Sequence, residues 1–324
     1  MSKAIRIHEA GGPEAMRFEE CDPGAPAEGE VQLRHTAIGL NYIDVYDRSG
    51  LYPMPLPGGL GREAAGVVVA VGRKARGFRK GDRVAYVHTQ PGSYSEVRNV
   101  PASRLVKLPK SVSDEQAAAL MLKGLTAEYL LRRTYRVQRG DWILVHAAVG
   151  GVGLILCQWA KALGARVIGV VGSEAKAALA RRNGCKHVLV MGRDKIVEQV
   201  RALTGGQGVA VVYDSVGRET FMDSLDCLKP LGMMVSYGNA SGPPPLISPL
   251  ELSKRGSLFL TRPSLFAYIA DRKDLDAAAR ALFRVVSARK VKLHIGQRYA
   301  LAEAAQAHRD LEARKTTGST VLLP

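Results

Sequence analysis

Two textures of apolar and polar positions divide the chain. Over roughly the first 110 residues the apolar positions form short runs or alternate with polar ones, the period that a strand with one buried face requires. Ala4–His8, Val31–Ile38, Ala65–Val71, Arg83–Val87 and Tyr94–Val100 are such runs, and Gly11-Gly12-Pro13, Pro53–Gly59 and Gly81-Asp82 separate them as turns. Only Tyr42–Arg48 has helical spacing there, so this stretch predicts a mostly antiparallel β module. At Ser113 the pattern changes. Ser113 with Gln116 three residues on forms a capping-box signature ahead of the apolar Ala117–Leu122, and helical spacing resumes over Ala127–Arg136.

From Trp142 strands and helices alternate. Strands are predicted at Trp142–His146, Arg166–Val171, His187–Val190, Val209–Tyr213 and Met233–Tyr237, with helices over Val152–Leu163, Glu174–Asn183, Ile196–Leu203 and Glu219–Leu228. Repeated strand–helix units of this kind imply a parallel sheet covered by helices on both faces. After the loop Ser241-Gly242-Pro243-Pro244-Pro245 come a strand at Ser257–Thr261 and an amphipathic helix over Asp274–Ser287. The short elements around Tyr299, Ala302–Ala313 and Thr320–Leu323 cannot fold alone and are expected to return to the N-terminal module. The predicted class is therefore α/β in two domains: residues 1–122 with 266–324 as the β-rich domain, and residues 123–265 as a doubly wound parallel-sheet domain.

Composition narrows the class. A chain of 324 residues exceeds what one simple core organises, and 46% hydrophobic with 23% charged residues excludes a disordered, coiled-coil or collagen-like protein. The lack of a long apolar run or leader-like start leads us to expect a cytoplasmic protein without a membrane partner. Cys21, Cys157, Cys185 and Cys227 are far apart and read as reduced thiols. The net charge of +16 would draw anions, nucleic acid included. Its densest run (Arg73, Lys74, Arg76, Arg79, Lys80, Arg83) is broken by Gly72, Gly77 and Gly81 and reads as a solvated turn. With no zinc finger, RNP motif or aromatic-interleaved basic stripe, nucleic acid is the weaker expectation for a partner.

The sharpest local signal is Trp142–His146 followed by Ala147-Ala148-Val149-Gly150-Gly151-Val152-Gly153 and a helix. Strand, glycine-rich turn and helix start form a pyrophosphate cradle, in which glycines admit the ligand and helix N–H groups face it. Gly150 and Gly153 hold pattern positions, whereas Ala148 stands where the first glycine is expected. At the end of the second strand an NAD site usually has an acid for the ribose hydroxyl. This chain has Gly172-Ser173 there, then Lys176, a set suited to a 2′-phosphate and hence to NADPH. Glu174 could still take the acidic role if it points inward, and Arg193 after the third strand offers a second cation. The turns Asp214-Ser215-Val216-Gly217 and Gly238-Asn239-Ala240-Ser241 follow the fourth and fifth strands, at the ligand-binding edge. Asp214 itself reads as a structural turn acceptor.

Several stretches together resemble the medium-chain dehydrogenase/reductase superfamily, in its quinone oxidoreductase (zeta-crystallin-like) branch. They are Asn41–Pro53, Gly61-Arg62-Glu63-Ala64-Ala65-Gly66, Lys123-Gly124-Leu125-Thr126-Ala127, His146–Gly153, Tyr213–Gly217 and Thr261-Arg262-Pro263-Ser264-Leu265. The resemblance spans nearly the whole chain. It implies a GroES-like catalytic domain, a Rossmann NADPH-binding domain, and pairing of two copies through the edge of the nucleotide-domain sheet, here Ser257–Thr261. It further implies cofactor contacts at Asn41–Tyr46 (Tyr42 and Tyr46 among them), Tyr129, Gly151, Val152, Gly172–Lys176, Gly238–Ser241, Pro263, Ser264, Leu265 and Arg314. Met191 stands where related chains carry a tyrosine near the adenosine phosphate, and Arg193 is expected in its place. The superfamily's alcohol dehydrogenases ligate zinc with a cysteine where this chain has Asn41 and a histidine where it has Arg62. An arginine offers no lone pair, so no metal is expected.

The implied reaction is zinc-independent reduction of a quinone by NADPH, with reduction of enals and enones, or a nucleic-acid-binding role on the same fold, as alternatives. Tyr46 and Tyr52 are the candidates to hydrogen-bond a quinone oxygen or relay a proton, beside Asn41. Each tyrosine could instead be a wall residue with its hydroxyl satisfied locally. Tyr42 is one helical turn from Tyr46, and Asp44 and Arg48, at the same spacing, are expected to form a local ion pair.

Overall fold

The computed structural model describes residues 1–324, which form two compact units. The first comprises Met1–Leu125, Tyr268–Ser287 and Leu293–Pro324; the second comprises Thr126–Ala267 with Ala288–Lys292. The expected division places residues 288–292 with the β-rich part. They belong to the second unit, where the Gln158 amide donates to the Lys292 carbonyl (3.0 Å) and accepts from its N–H (2.8 Å).

In the first unit β1 (Ser2–Ile7) pairs antiparallel with β2 (Met16–Cys21) and with β4 (Gly58–Gly59). The larger sheet is built on β3 (Glu30–Leu40), whose neighbours are β5 (Glu63–Val71) and β7 (Val97–Pro101), with β6 (Arg83–Val87) and β8 (Leu105–Lys107) beyond β5. The C-terminal strand Ser319–Leu323 joins the other end of β3 through Thr320 opposite Leu40, so the chain's end does return to the N-terminal module. Val31, Leu33, Ile38, Val68, Val84 and Tyr86 fill the core. Helix α1 (Tyr42–Arg48) begins directly where β3 ends, and its Asp44 carboxylate accepts the Asn41 N–H (2.8 Å). The predicted capping box at Ser113 and Gln116 starts α2 (Asp114–Ala118), and α3 (Met121–Tyr129) follows.

The second unit is a six-stranded parallel sheet. Its strands are β9 (Trp142–Val145), β10 (Arg166–Val171), β11 (Cys185–Val190), β12 (Val209–Asp214), β13 (Leu228–Ser236) and β14 (Phe259–Thr261), ordered β11-β10-β9-β12-β13-β14. That is the doubly wound order whose reversal falls between the first and fourth strands, where such sheets bind ligands beyond the strands' carboxyl ends. All six residues of β12 are buried, as a strand covered on both faces requires. No helix is long and apolar enough to cross a membrane. The four cysteines are free thiols; Cys157, Cys185 and Cys227 are buried and Cys21 is half-buried.

Candidate active site

The glycine-rich turn joins β9 to α4 (Gly151–Ala162). Ala147 turns the chain at φ +49°, Ala148 N–H donates to the Val170 carbonyl (3.0 Å), and Gly150 caps the helix. A Cβ on Gly153 would lie 2.3 Å from the Ala147 carbonyl oxygen, so only glycine lets helix and turn approach this closely. The departure at Ala148 has a local explanation. Across from it Gly169 in β10 leaves room for the Ala148 methyl, since a Cβ there would lie only 2.9 Å from it. The helix start is therefore tight against the turn, with first-turn N–H groups that have no partner within the helix.

Beyond β10 the predicted helix from Glu174 begins as a 3-10 turn (Glu174–Lys176), and the α-helix proper is Ala177–Arg182. A Cβ on Gly172 would meet nothing within 4 Å, so open space adjoins the end of β10. Ser173 and Lys176 close the same turn through Lys176 N–H to the Ser173 carbonyl (3.1 Å). Arg193, beyond the adjacent β11, donates to both oxygens of Asp194 (2.8 Å each) and also to Glu174. The two residues read separately from sequence, Glu174 and Arg193, thus form an ion pair with each other.

The turns after β12 and β13 interlock. Ala240 and Ser241 N–H donate to the Ser215 and Val216 carbonyls (3.1 and 2.8 Å). Gly238 packs so that a Cβ would lie 2.5 Å from the Ser215 carbonyl oxygen. Asp214 is the structural acceptor expected: its carboxylate takes the Val216 and Gly217 N–H groups and the Thr220 and Ser224 hydroxyls. Ser224 in turn contacts His146 Nε2 (3.0 Å), whose imidazole burial holds below its ordinary pKa. Asn239 lies in the 238–241 turn, and Pro263, Ser264 and Leu265 follow the end of β14. Tyr129 is buried in α3. The carboxyl ends of the six parallel strands thus bring most of the expected cofactor residues to one edge of this unit.

The other candidates are in the first unit. Tyr42, Tyr46 and Tyr52 form an aromatic chain, with ring centroids 5.4 and 5.2 Å apart, and Arg314 is close enough to act on the Tyr42 phenol. The expected Asp44–Arg48 pair is absent. Arg48 reaches out of α1 to Glu312 in a two-pronged ion pair (2.9 Å each) and donates to His308 Nδ1 (3.1 Å). Asp44 instead accepts from the Tyr94 hydroxyl (2.9 Å), which contacts His308 Nε2 (3.1 Å). Arginine can only donate, so His308 Nδ1 is an acceptor and Nε2 carries the proton. Burial, with the nearby Asp47 charge adding to it, raises the Asp44 carboxyl to about 7.

Burial, with Arg48 beside it, lowers His308 to about 3 from 6.5. The unfolded chain therefore binds this proton more tightly, and the stability it contributes is complete above about pH 6.5 and is lost as pH falls toward 3. The carboxyl of Asp44 works with the opposite sign. Between pH 6.5 and pH 5, wild type should lose about 2 kcal/mol more unfolding free energy than His308→Gln, measured by urea titration. Parallel pH profiles for the two proteins would contradict this.

Asn41 and Arg62 each belong to a saturated polar cluster. Glu63, fully buried, accepts from Asn41 Nδ2 (2.7 Å) and Lys123 Nζ (3.0 Å) on one oxygen and from Leu122 N–H (2.6 Å) on the other. Lys123 also donates to the Leu40 carbonyl (3.0 Å). Arg62 forks onto Asp47 (2.7 Å twice) and donates to the Thr89 carbonyl. An amide, a guanidinium and an ammonium are poor company for a dication, and both carboxylates are committed. No group of three His, Cys, Asp or Glu could hold a metal. Sequence reasoning gave no role to Glu63 and Lys123, because partners 60 positions apart leave no local signal.

Residues 27–110 match the family model described as alcohol dehydrogenase GroES-like domain, and residues 151–282 match that described as zinc-binding dehydrogenase. The chain is 50% identical to a quinone oxidoreductase of Pseudomonas aeruginosa and 46% identical to a 2-haloacrylate reductase of a Burkholderia species. Those alignments cover 100% of this chain and 100% and 99% of the relatives, respectively. Among solved structures, Escherichia coli quinone oxidoreductase complexed with NADPH matches with a TM-score of 0.98 at 48% identity, covering 99% of this chain and 100% of that one.

Proposed function

Because the chain belongs to the quinone oxidoreductase branch of the medium-chain dehydrogenase/reductase superfamily, we propose that it is an NADPH:quinone oxidoreductase that works without zinc. The observation that carries this reading is the nucleotide cradle of the second unit, closed by Gly153 against Ala147; the first unit carries Asn41 and Arg62 where the resemblance places zinc ligands in alcohol dehydrogenases. When bound, NADPH supplies the hydride that a quinone takes up with a proton to become a hydroquinone. The start of α4 holds the pyrophosphate with backbone N–H groups, and Gly150, Gly151, Val152 and Gly153 admit it. Gly172, Ser173 and Lys176 receive the adenosine 2′-phosphate in the open space beside β10. The 214–217 turn, fixed by Asp214, and the 238–241 turn bonded to it line the nicotinamide end with Pro263, Ser264 and Leu265.

On the acceptor side Tyr46 and Tyr52 present phenols to a quinone oxygen, and one of them hands over the proton. Glu63 fixes the Asn41 amide by its NH2 group, which leaves the carbonyl end to orient the reacting rings. Orientation and hydrogen bonding suffice here because the acceptor is electron-poor and becomes aromatic on reduction. Reduction of a carbon–carbon double bond beside a carbonyl is the second reading, favoured by the 2-haloacrylate reductase relative. A substrate panel separates them: NADPH oxidation should be faster with 1,4-naphthoquinone than with enals, enones or 2-haloacrylates. Consumption with the alkenes alone would reject the first reading.

The same reading makes the protein a cytoplasmic homodimer, in keeping with four free thiols. The edge strand β14 exposes Phe259 (56%) and Leu260 (39%), an apolar edge suited to a second copy. Light scattering should give twice the chain mass, and Phe259→Lys should halve it. Monomeric wild type at micromolar concentration would remove the dimer.

A further inference from the structure

The ion pair at the ends of β10 and β11 is built asymmetrically. Gly192 turns the chain at φ +77° after β11, and the Asp194 carboxylate then accepts the Val190 N–H (2.7 Å) while taking Nε and one terminal nitrogen of Arg193. Asp194 is thus anchored to the backbone, and the hydrogen bonds from Arg193, with that from the Val190 N–H, lower its carboxyl to about 2. The remaining terminal nitrogen of Arg193 meets Glu174. Glu174 stands on a 3-10 turn and its side chain is 62% exposed, against 55% for Arg193. Exposed pairs of this kind contribute little and exchange readily with solvent or with another anion. One acid therefore holds the guanidinium in place, and the other is a replaceable occupant of its outer face.

Glu174 follows Gly172 by two residues, and a Cβ on Gly172 would meet nothing within 4 Å. An acid just beyond the second strand hydrogen-bonds an unphosphorylated adenosine ribose, whereas a cation there receives a 2′-phosphate. This turn carries one of each, clasped together. We propose that the Glu174–Arg193 pair sets the preference between the two dinucleotides: Glu174 accepts the ribose hydroxyls of NADH, and a 2′-phosphate displaces Glu174 from Arg193 to bind NADPH. The proposal rests on the nucleotide site assigned above and deepens it.

Two consequences separate the pair's roles. Without its carboxylate, Glu174→Gln no longer competes for Arg193 or repels the phosphate, so NADPH should bind about threefold more tightly. The same substitution removes the charged acceptor for the ribose hydroxyls, so NADH should bind about tenfold more weakly. Arg193→Ala should weaken NADPH and leave NADH unchanged. The test is a fluorescence titration of NADPH and NADH on wild type, Glu174→Gln and Arg193→Ala, with melting temperatures as the check on folding. Opposite shifts of the two affinities in Glu174→Gln support the proposal. An unchanged NADPH-to-NADH ratio in that variant overturns it while leaving the nucleotide site standing, whereas failure of wild type to bind either dinucleotide overturns the site itself.

Discussion

Glu63→Ala is expected to destabilise the N-terminal unit by about 3–5 kcal/mol, because it strands the buried Lys123 ammonium. Glu63 is fully buried and the Lys123 side chain is only 6% exposed, so water cannot replace the lost carboxylate. The same substitution frees the Leu122 N–H and the Asn41 amide, each of which bonds only to Glu63 among the side chains around it. By contrast, the exposed Arg73–Glu28 pair should be worth less than about 1 kcal/mol. Urea unfolding of Glu63→Ala should show the loss, and Glu63→Ala with Lys123→Met should recover part of it by removing the stranded charge. A double variant no more stable than the single one would contradict the assignment. Gly39 makes room for this carboxylate, since a Cβ there would lie 2.3 Å from one of its oxygens.

Gly153→Val should cost both stability and cofactor, and Gly172→Val the cofactor alone. At position 153 the added Cβ would meet backbone, 2.3 Å from the Ala147 oxygen and 2.9 Å from the Ala148 carbonyl carbon, so the turn itself must move. Overpacking of this kind costs about 1–3 kcal/mol, which on a binding surface corresponds to a loss of up to about a hundredfold in NADPH affinity. At position 172 a Cβ would meet nothing within 4 Å beyond its chain neighbours, so the fold is expected to tolerate a side chain there that obstructs a ligand. Melting curves and NADPH titrations of the two variants check this. An unchanged affinity in Gly172→Val would show that the open space there is not where the adenosine end is held.

The alternation of the second unit was legible because strands covered on both faces, such as β12, must be continuous apolar runs, and the helices between them carry a different period. Several boundaries were not, and one of them has a clear local cause. The strand predicted from Met233 begins at Leu228, since Pro230 and Leu231 (φ +60°) read as a turn and form an irregularity in the pairing with β12. The replacement of metal ligands by Asn41 and Arg62 was legible only through the family resemblance, which says where the ligands would stand; residue type then says that these two are unsuited to zinc. Their partners were not legible, since Arg62 finds Asp47, and Asn41 and Lys123 find Glu63, only once β3, β5 and α3 come together. The helical spacing of Asp44 and Arg48 was a true local signal overridden by tertiary partners: Glu312 lies 264 positions from Arg48 and offers a bidentate fit.

Whether this family member reduces quinones with NADPH and without a metal is decided by NADPH oxidation by 1,4-naphthoquinone, followed anaerobically, on protein dialysed against a strong chelator and assayed for zinc by mass spectrometry. We predict one hydroquinone formed per NADPH consumed, at the same rate before and after dialysis and with zinc far below one ion per chain. Activity that disappears with the chelator and returns with added zinc would contradict the account.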